Sequence, residues 1–414
     1  MNKREVDVDT PQGAAALLRS TAAIRVRAQA LLEYARAGLS PYFGVNDHAL
    51  ETAAAEVAEV TRSRYPSLRI PYHSRWRHFE AGGVPRAAQL EQRLDPEDAP
   101  ARARAQIDLA LVSVLLDAGA GASWRYLEPG TGLQLTRSEG LGVASFHAFT
   151  SGLFSSNPAR PLQADAAGLQ AIDADRLAKA FQVSAANPLV GLEGRAALMR
   201  RLGQSLAEPS GSFGASGRPG GLFDRLPRTS EGQVQAHDVL DMLLSGLSGI
   251  WSAPHSIQGI ALGDCWPHSG APGPGLTAGW MPFHKLTQWL TYSLLEPLEW
   301  AGIKVVGLDA LTGLPEYRNG GLFIDAGVLQ PKVADFATRS WQVGEPFIVE
   351  WRALTVALLD ELAPRVRRAL GQTAQDMPLA CILEGGTWAA GRALAQSLRQ
   401  GLPPLSIVSD GTVF

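Results

Sequence analysis

Along the first half of the chain, apolar residues recur at steps of three and four, the spacing that lines one face of a helix. This predicts helices over Ala14–Ala37, Asp47–Arg64, Ala99–Ala118 and Ala174–Phe181, with Ala and Arg, both good helix formers, between the apolar positions. Asn46 or Asp47 ahead of His48–Arg64, and Asp173 ahead of Ala174, offer side-chain oxygens to the free N–H groups of a first turn. Gly38, Gly119 and Gly203 stand where helices would stop, because glycine takes the left-handed conformation of a helix end without a steric cost.

The pattern breaks at Glu208–Gly232, EPSGSFGASGRPGGLFDRLPRTSEG, a Gly/Ser/Pro-rich connection whose inner RPGGLFD could be an ordered ligand loop. It divides the chain into an N-terminal helical part (1–207), the connection (208–232) and a C-terminal helical part (233–414), unless the whole is one continuous domain. A second breaker-rich stretch, His268–Gly279, precedes a helix over Phe283–Leu298, which Pro297 helps to stop. Ile303–Leu308 and Gly321–Asp325 are short enough for strands, Val349–Ala369 reads as a long amphipathic helix, and Leu379–Leu383 and Leu405–Val408 read as brief strands around the helix Trp388–Arg399. The fold expected is mainly α, with a few short strands near the C-terminal third.

With 414 residues the chain can bury a large core. Its net charge of -3 and pI near 6.3 supply no general basic field, which disfavours nucleic acid as a partner and suits a small ligand. Two cysteines, Cys265 and Cys381, exclude a disulfide framework and fit a reducing interior. The start MNKREVDVDTPQG lacks an apolar signal core, and no later run reaches about 18 apolar residues without a charge, Gly or Pro, so a cytoplasmic protein without a membrane span is expected. The 43 Gly and 27 Pro cluster where the chain would turn.

Chemistry concentrates in Trp280–Leu329, where Lys285, Gln288, Glu316, Tyr317, Arg318 and Asp325 are set among apolar and aromatic residues. Burying an ionised group costs several kcal/mol, roughly, unless it is paired, so the cluster marks either a pocket or an ion pair that holds helices together. In YHSRWRHFE, an extended chain would place His73, Arg75, Arg77 and Phe79 on one side, where they could pack at a surface or interface or instead hold a phosphate; His73 and His78 could contribute to a metal site, but no ligand cluster completes one. Asp117, Trp124, Arg125 and Tyr126 in DAGAGASWRY could form an aromatic shelf beside a carboxylate for a planar ligand, or be core residues at a helix end; Asp264 and Trp266 in LGDCWPH pose the same choice. Gly385-Gly386 in LEGGTWAAGR could open a helix and bind an anion, or make a tight turn. A Walker A loop, a nucleophile elbow and HExxH are absent.

Taken in order, NPLVGLEGRA at Asn187–Ala196, RPGGLFD at Arg218–Asp224, MPFHKLTQWLTYSLLEPL at Met281–Leu298, LTGLPEYRNGGLFID at Leu311–Asp325, VEWRALTV at Val349–Val356, LEGGTWAAGR and the terminal SDGTVF make the whole chain resemble the uracil catabolism protein 4 family. The resemblance implies a pyrimidine breakdown route in which uracil becomes its nucleotide, the ring is opened and urea leaves a ribosylurea-type intermediate. A more distant similarity is to the queuosine salvage N-glycosidases, which implies a DNA-glycosylase-like helical core. Phe283-His284-Lys285 with Gln288 is similar to their aromatic-Lys-x-x-Gln helix, Glu316-Tyr317-Arg318 to their Asp-Tyr-Arg, Glu350-x-Arg352-Ala353 to their Glu-x-Arg-Ala helix, and Asp117 through Trp124 to the apolar strip that cradles the base. Glu316 departs from their Asp by one methylene.

The resemblance implies Glu316 as the carboxylate that meets an oxocarbenium-like sugar, and Lys285 as its cationic partner, a phosphate contact or a proton source. Arg318 and Arg352 suit planar, bidentate binding or scaffolding, with Glu350 as a partner for either. Gln288 and Asp117 could hold a ureido group, with Trp124, Asp264, Trp266, His284 and Tyr317 completing a site for a nucleoside- or nucleotide-derived small molecule. Neither cofactor nor metal is implied. Two other readings stay open: a metal-dependent amidohydrolase or deaminase using His73, His78 and His284, and a non-catalytic nucleotide-binding subunit whose apolar face over Ala14–Ala37 packs on a partner or a second copy.

Overall fold

The computed structural model describes residues 7–208, 213–215, 217–251 and 255–408; the terminal SDGTVF motif and parts of the Gly/Ser-rich connection lie outside them. The fold is mainly α, and the strands among the described residues are two or three residues long and pair two by two. Asp47–Arg64 is helical over the expected range. Asp173 caps Ala174–Ala180 by accepting from the Arg176 N–H at 2.7 Å, and Asp98 does the same for Ala99–Leu115 from Ala101 at 2.8 Å. The long helix near the C-terminus covers Pro346–Leu370, begins on a proline and ends at Gly371 with φ 67°.

Several elements differ from the reading above. Ala14–Ala37 is two helices, Pro11–Leu18 and Thr21–Arg36, because extended Ser20 interrupts the ladder and caps the second by accepting from Ala23 N–H at 3.1 Å. Gly203 lies within the helix Leu192–Leu206, where an added Cβ would stand 2.6 Å from the Ala166 carbonyl; close helix contact, not termination, needs that glycine. Pro297 lies inside the helix Lys285–Trp300. A proline frees the carbonyl four residues earlier, and here the Trp76 indole donates to that Ser293 oxygen at 2.9 Å, so the helix continues. Gly321–Asp325 belongs to the helix Tyr317–Asp325 and Leu379–Ile382 is helical too, since a short apolar run has no period that separates a buried helix from a strand. Arg75–Phe79 is a helical turn, so the expected one-sided array of His73, Arg75, Arg77 and Phe79 does not form.

Gly385 and Gly386 do not open a helix. They lie in a buried π turn, Leu383–Thr387, between Leu379–Ile382 and Trp388–Arg399, where a Cβ on Gly386 would stand 2.5 Å from the Val57 carbonyl. RPGGLFD is ordered around a buried carboxylate: Asp108 accepts from Arg218 Nη2 at 2.6 Å and from the Gly220 N–H at 2.6 Å.

The described residues form two compact units, each assembled from separated segments. The first comprises residues 7–73, 255–288 and 307–408. Its centre is Pro346–Leu370, buried along most of its length against Thr21–Arg36 and Asp47–Arg64. Tyr317–Asp325 packs on Trp388–Arg399 and on the long helix, with Gly391 against the Arg318 carbonyl and Gly320 against the Trp351 ring. The Trp351 indole donates to the Gly320 carbonyl at 3.2 Å. Two pairs of short strands, Phe43–Val45 with Leu329–Pro331 and Cys265–Pro267 with Trp280–Pro282, are antiparallel; Ser340–Gln342 and Ser406–Val408 are parallel.

The second unit comprises the described parts of 74–251 and 289–306. Ala99–Leu115 packs on Arg137–Thr150, Leu192–Leu206 packs on Ala166–Gln170 and Ala174–Ala180, and Val234–Gln235 pairs in parallel with Val305–Val306.

The glycine contacts that seat Tyr317–Asp325 leave no room for a methyl group. Gly320→Ala is expected to cost about 1–3 kcal/mol, the usual range for overpacking, read as a lower denaturant midpoint at an unchanged slope. An unchanged midpoint would show that this helix is not held at close range.

Candidate functional site

The turn that delivers Lys285 is built around Asp264. Its backbone carbonyl accepts from the N–H groups of Phe283 (2.9 Å) and His284 (3.2 Å), and its carboxylate Oδ2 accepts from the Lys285 N–H at 3.0 Å. Arg352 grips the same carboxylate with both terminal nitrogens, at 2.9 and 2.8 Å, while the Trp266 indole donates to Oδ1 at 2.7 Å. The Arg352 guanidinium also lies 4.0 Å from the Phe283 ring centre. His284 adopts φ 48°, unusual for a residue with a side chain, and its Nε2 donates to the Leu18 carbonyl at 3.0 Å. Burial alone would push the Asp264 carboxyl up, but Arg352, the indole and the backbone donor hold it down at about 2. Asp264, Trp266, His284 and Arg352 thus serve one another, and together they fix where the helix Lys285–Trp300 starts.

Glu316 begins the helix Tyr317–Asp325. Its two carboxylate oxygens accept the first free backbone donors, Asn319 N–H at 2.6 Å and Arg318 N–H at 2.9 Å. Only 8% of the residue is exposed. Burial raises its pKa above the ordinary glutamate range; the two N–H donors and the charges of Lys285 and His73 pull the other way. Half-buried Lys285 therefore acts electrostatically on Glu316.

One turn beyond Lys285, buried Gln288 accepts from the Thr312 N–H at 3.4 Å through Oε1, while its amide Nε2 has no hydrogen-bond partner. Arg318 is buried over the Tyr317 ring at 4.7 Å, donates from Nη1 to the Gly401 carbonyl at 3.3 Å and leaves Nε unpartnered. Glu350 pairs with neither arginine. It accepts from Ser40 Oγ and lies 3.3 Å from His268 Nε2, both in the same unit, so the expectation that it partners Arg318 or Arg352 is corrected.

Glu384 was not singled out from the sequence. It lies in the π turn Leu383–Thr387, bonded to His73 Nδ1 at 2.9 Å through Oε2 and to Tyr65 OH (3.0 Å) and Arg64 Nη2 (3.1 Å) through Oε1. Burial pushes its pKa up, yet these partners outweigh it and hold the carboxyl below the usual range. A lone charge in the apolar run LACILEGG was the available signal, the same one that marked Trp280–Leu329. Thr387 Oγ1 donates to Asn319 Oδ1 at 2.8 Å, linking this turn to the first turn of the Glu316 helix.

In the second unit, Asp117 accepts from Arg75 Nη1 at 2.8 Å and from Ser138 Oγ at 2.7 and 2.6 Å. Trp124 is fully buried and donates to the Phe181 carbonyl at 3.0 Å, with Tyr126 buried beside it, which is the core packing weighed above against an exposed shelf. An open cavity of about 600 Å³ in the first unit is lined by Ser67–Pro71, Gln372 and Asp376, and none of the expected site residues lines it.

Among the described residues, no group of three or more His, Cys, Asp or Glu is placed to hold a metal ion. His73 is bonded to Glu384, His284 to Leu18, and His78 Nδ1 lies 3.2 Å from Arg75 Nη1. No helix among them is long and apolar enough to cross a membrane.

Residues 17–414 match the family described as "Protein of unknown function (DUF1688)", and the chain belongs to that family. It is 40% identical over 410 residues to "Protein urg3" of Schizosaccharomyces pombe, covering 96% of this chain and 98% of that protein. It is also 40% identical over 377 residues to "Uracil catabolism protein 4" of Lachancea kluyveri, covering 83% of this chain and 85% of that protein. The resemblance read from the seven sequence strings is thereby shown.

The Asp264 geometry carries a pH dependence of known sign. Its folded pKa of about 2 is below the ordinary 3.8, so the stability it contributes is present above 3.8 and is lost as pH falls through 2. Asp264→Asn is expected to flatten acid unfolding in that window and to destabilise at neutral pH by about 3–5 kcal/mol, because Arg352 is left buried without its partner. Acid and denaturant melts test this; a neutral-pH stability equal to wild type would refute it.

Proposed function

We propose that this protein hydrolyses an N-glycosidic bond in uracil catabolism and releases urea from ribosylurea or its 5′-phosphate. The observation that carries the reading is Glu316, a buried carboxylate under the influence of Lys285 in a chain 40% identical to a protein named for uracil catabolism. The similarity of the Lys285, Glu316 and Arg352 motifs to those of queuosine salvage N-glycosidases supports it.

As the C1′–N bond lengthens, its electron pair moves to nitrogen and the sugar becomes cationic, so a fixed negative charge nearby lowers the barrier. Glu316 fills that role. Two backbone donors hold its oxygens in place, so its position requires no reorganisation when charge develops. Lys285 favours the ionised form against burial. The unpartnered Gln288 amide is the natural donor to the ureido carbonyl, because a bound ligand would satisfy a buried group that the protein leaves open. Water then adds its oxygen to C1′, and the departing nitrogen takes a proton to leave as urea.

Purified protein is expected to release one urea per sugar from ribosylurea or its 5′-phosphate; folded protein that releases none from either refutes the reading. Glu316→Gln should lower kcat by about 10²–10³-fold, the scale of removing a transition-state charge partner, with a loss of only about 1 kcal/mol in stability from the weakened helix cap. Retained turnover would remove Glu316 from the chemistry.

Activity that needs ionised Glu316 has an ascending pH limb above the ordinary glutamate value of 4.5. Lys285→Met removes a charge that favours ionisation, so the limb is expected to move to higher pH. A limb that stays in place, measured as kcat/KM against pH, would separate Lys285 from Glu316.

A further inference from the structure

We propose that His73, held by Glu384 in the turn that Thr387 bonds to the first turn of the Glu316 helix, is the proton donor to the departing nitrogen. The proposal rests on the N-glycosidase reading above and adds the group that reading lacks. Ribosylurea loses a poor leaving group unless its nitrogen is protonated, and Glu316, whose two oxygens already accept backbone N–H groups, is poorly placed to donate.

His73 has the construction of a positioned acid. Its backbone N–H donates to the Ala380 carbonyl at 3.0 Å, and its ring Nδ1 lies 2.9 Å from Glu384 Oε2. A carboxylate can only accept, so Nδ1 carries a proton and the ring is fixed in orientation; the proton given to the substrate is the second one, carried by Nε2 of the imidazolium. Glu384 is itself locked, its other oxygen taken by Tyr65 and Arg64. The π turn that carries it is an extra-residue irregularity of a kind that recurs at functional sites, and it aims a carboxylate out of an otherwise apolar helical run. The imidazole side chain is 12% exposed and Glu384 10%, so the pair is nearly dry without being sealed. Glu384 faces the His73 ring, with Arg64 and Tyr65 bonded to the other Glu384 oxygen, and the charges of His73 and Lys285 both favour ionised Glu316.

The step balances without a further reactant. The His73 proton passes to the nitrogen as the C1′–N electron pair arrives there, urea departs, and water oxygen bonds to C1′. The proton that water gives up is taken by Glu316 and lost to solvent, and His73 takes one from solvent, which restores both groups.

The test uses the full chain and two substrates. On ribosylurea or its phosphate, His73→Asn is expected to lower kcat about 10²–10⁴-fold with little change in KM, the range for loss of a general acid. On 4-nitrophenyl riboside, whose phenolate leaves without protonation, the same variant should lose less than about tenfold. Glu384→Gln should show the same contrast between substrates in weaker form, and Glu384→Asp should recover part of it. Equal losses on both substrates, tracking a lowered Tm, would mean a structural role and overturn the proposal.

Nitrogen NMR of ¹⁵N-histidine protein gives a readout that needs no turnover. The His73 ring signals, assigned by their loss in His73→Asn, are expected to show a protonated Nδ1 and to move in Glu316→Gln as well as in Glu384→Gln. Should wild-type protein release no urea, the ribosylurea reading fails by itself. The coupling of His73 to Glu316 is then decided by the NMR arm, and ring signals indifferent to Glu316→Gln overturn it.

Discussion

The buried bidentate contact between Asp264 and Arg352 is the constraint from which the candidate site follows. A charged pair of this kind is not inserted for stability, since its desolvation largely cancels its attraction. Its value is geometric. Asp264 also takes the backbone N–H groups of Phe283 and His284 on its carbonyl and that of Lys285 on its carboxylate, so one residue sets the direction in which a helix leaves a strand. The left-handed conformation of His284 persists because its ring and its backbone are both bonded, to Leu18 and to Asp264. Lys285 and Gln288 inherit their positions from that arrangement, as residues on the first turn of a rigid element do.

Glu316 is set by a different means. It occupies a helix start, where a carboxylate is favoured by free N–H donors and by the positive end of the helix dipole. Close packing through Gly320 and Gly391 then seats that helix against its neighbours. The Asn319–Thr387 bond ties it to the turn that carries Glu384. Two carboxylates with opposite shifts therefore share one unit: burial dominates at Glu316, while His73, Tyr65 and Arg64 dominate at Glu384.

Membership of a family described as of unknown function leaves the chemistry to be argued from side chains, since a shared fold admits many reactions. Arg352 and Asp264 are buried and bonded to each other, and Glu350 is buried with one oxygen on Ser40 and the other 3.3 Å from His268 Nε2. Gln288 keeps a buried amide nitrogen without a partner, and burial opposes the charge of Glu316.

Helix positions were legible in the chain because periodicity and caps are local: Asp47–Arg64 and the Asp173-capped helix needed nothing beyond their own residues. That Glu316 and Arg318 would need partners was legible too, since a charge in an apolar run is anomalous wherever it folds. What failed were the places where a distant group alters the local rule. Pro297 continues a helix because Trp76 takes the freed carbonyl, and Gly203 packs where it was expected to end a helix because Ala166 approaches. Glu384 became visible only when a π turn placed it on His73, Tyr65 and Arg64, residues more than 300 positions away in sequence. The chain by itself determined which segments would coil and which charges would need partners. The tertiary structure alone decided the partners, because a hydrogen bond depends on distance in space and the sequence records only order.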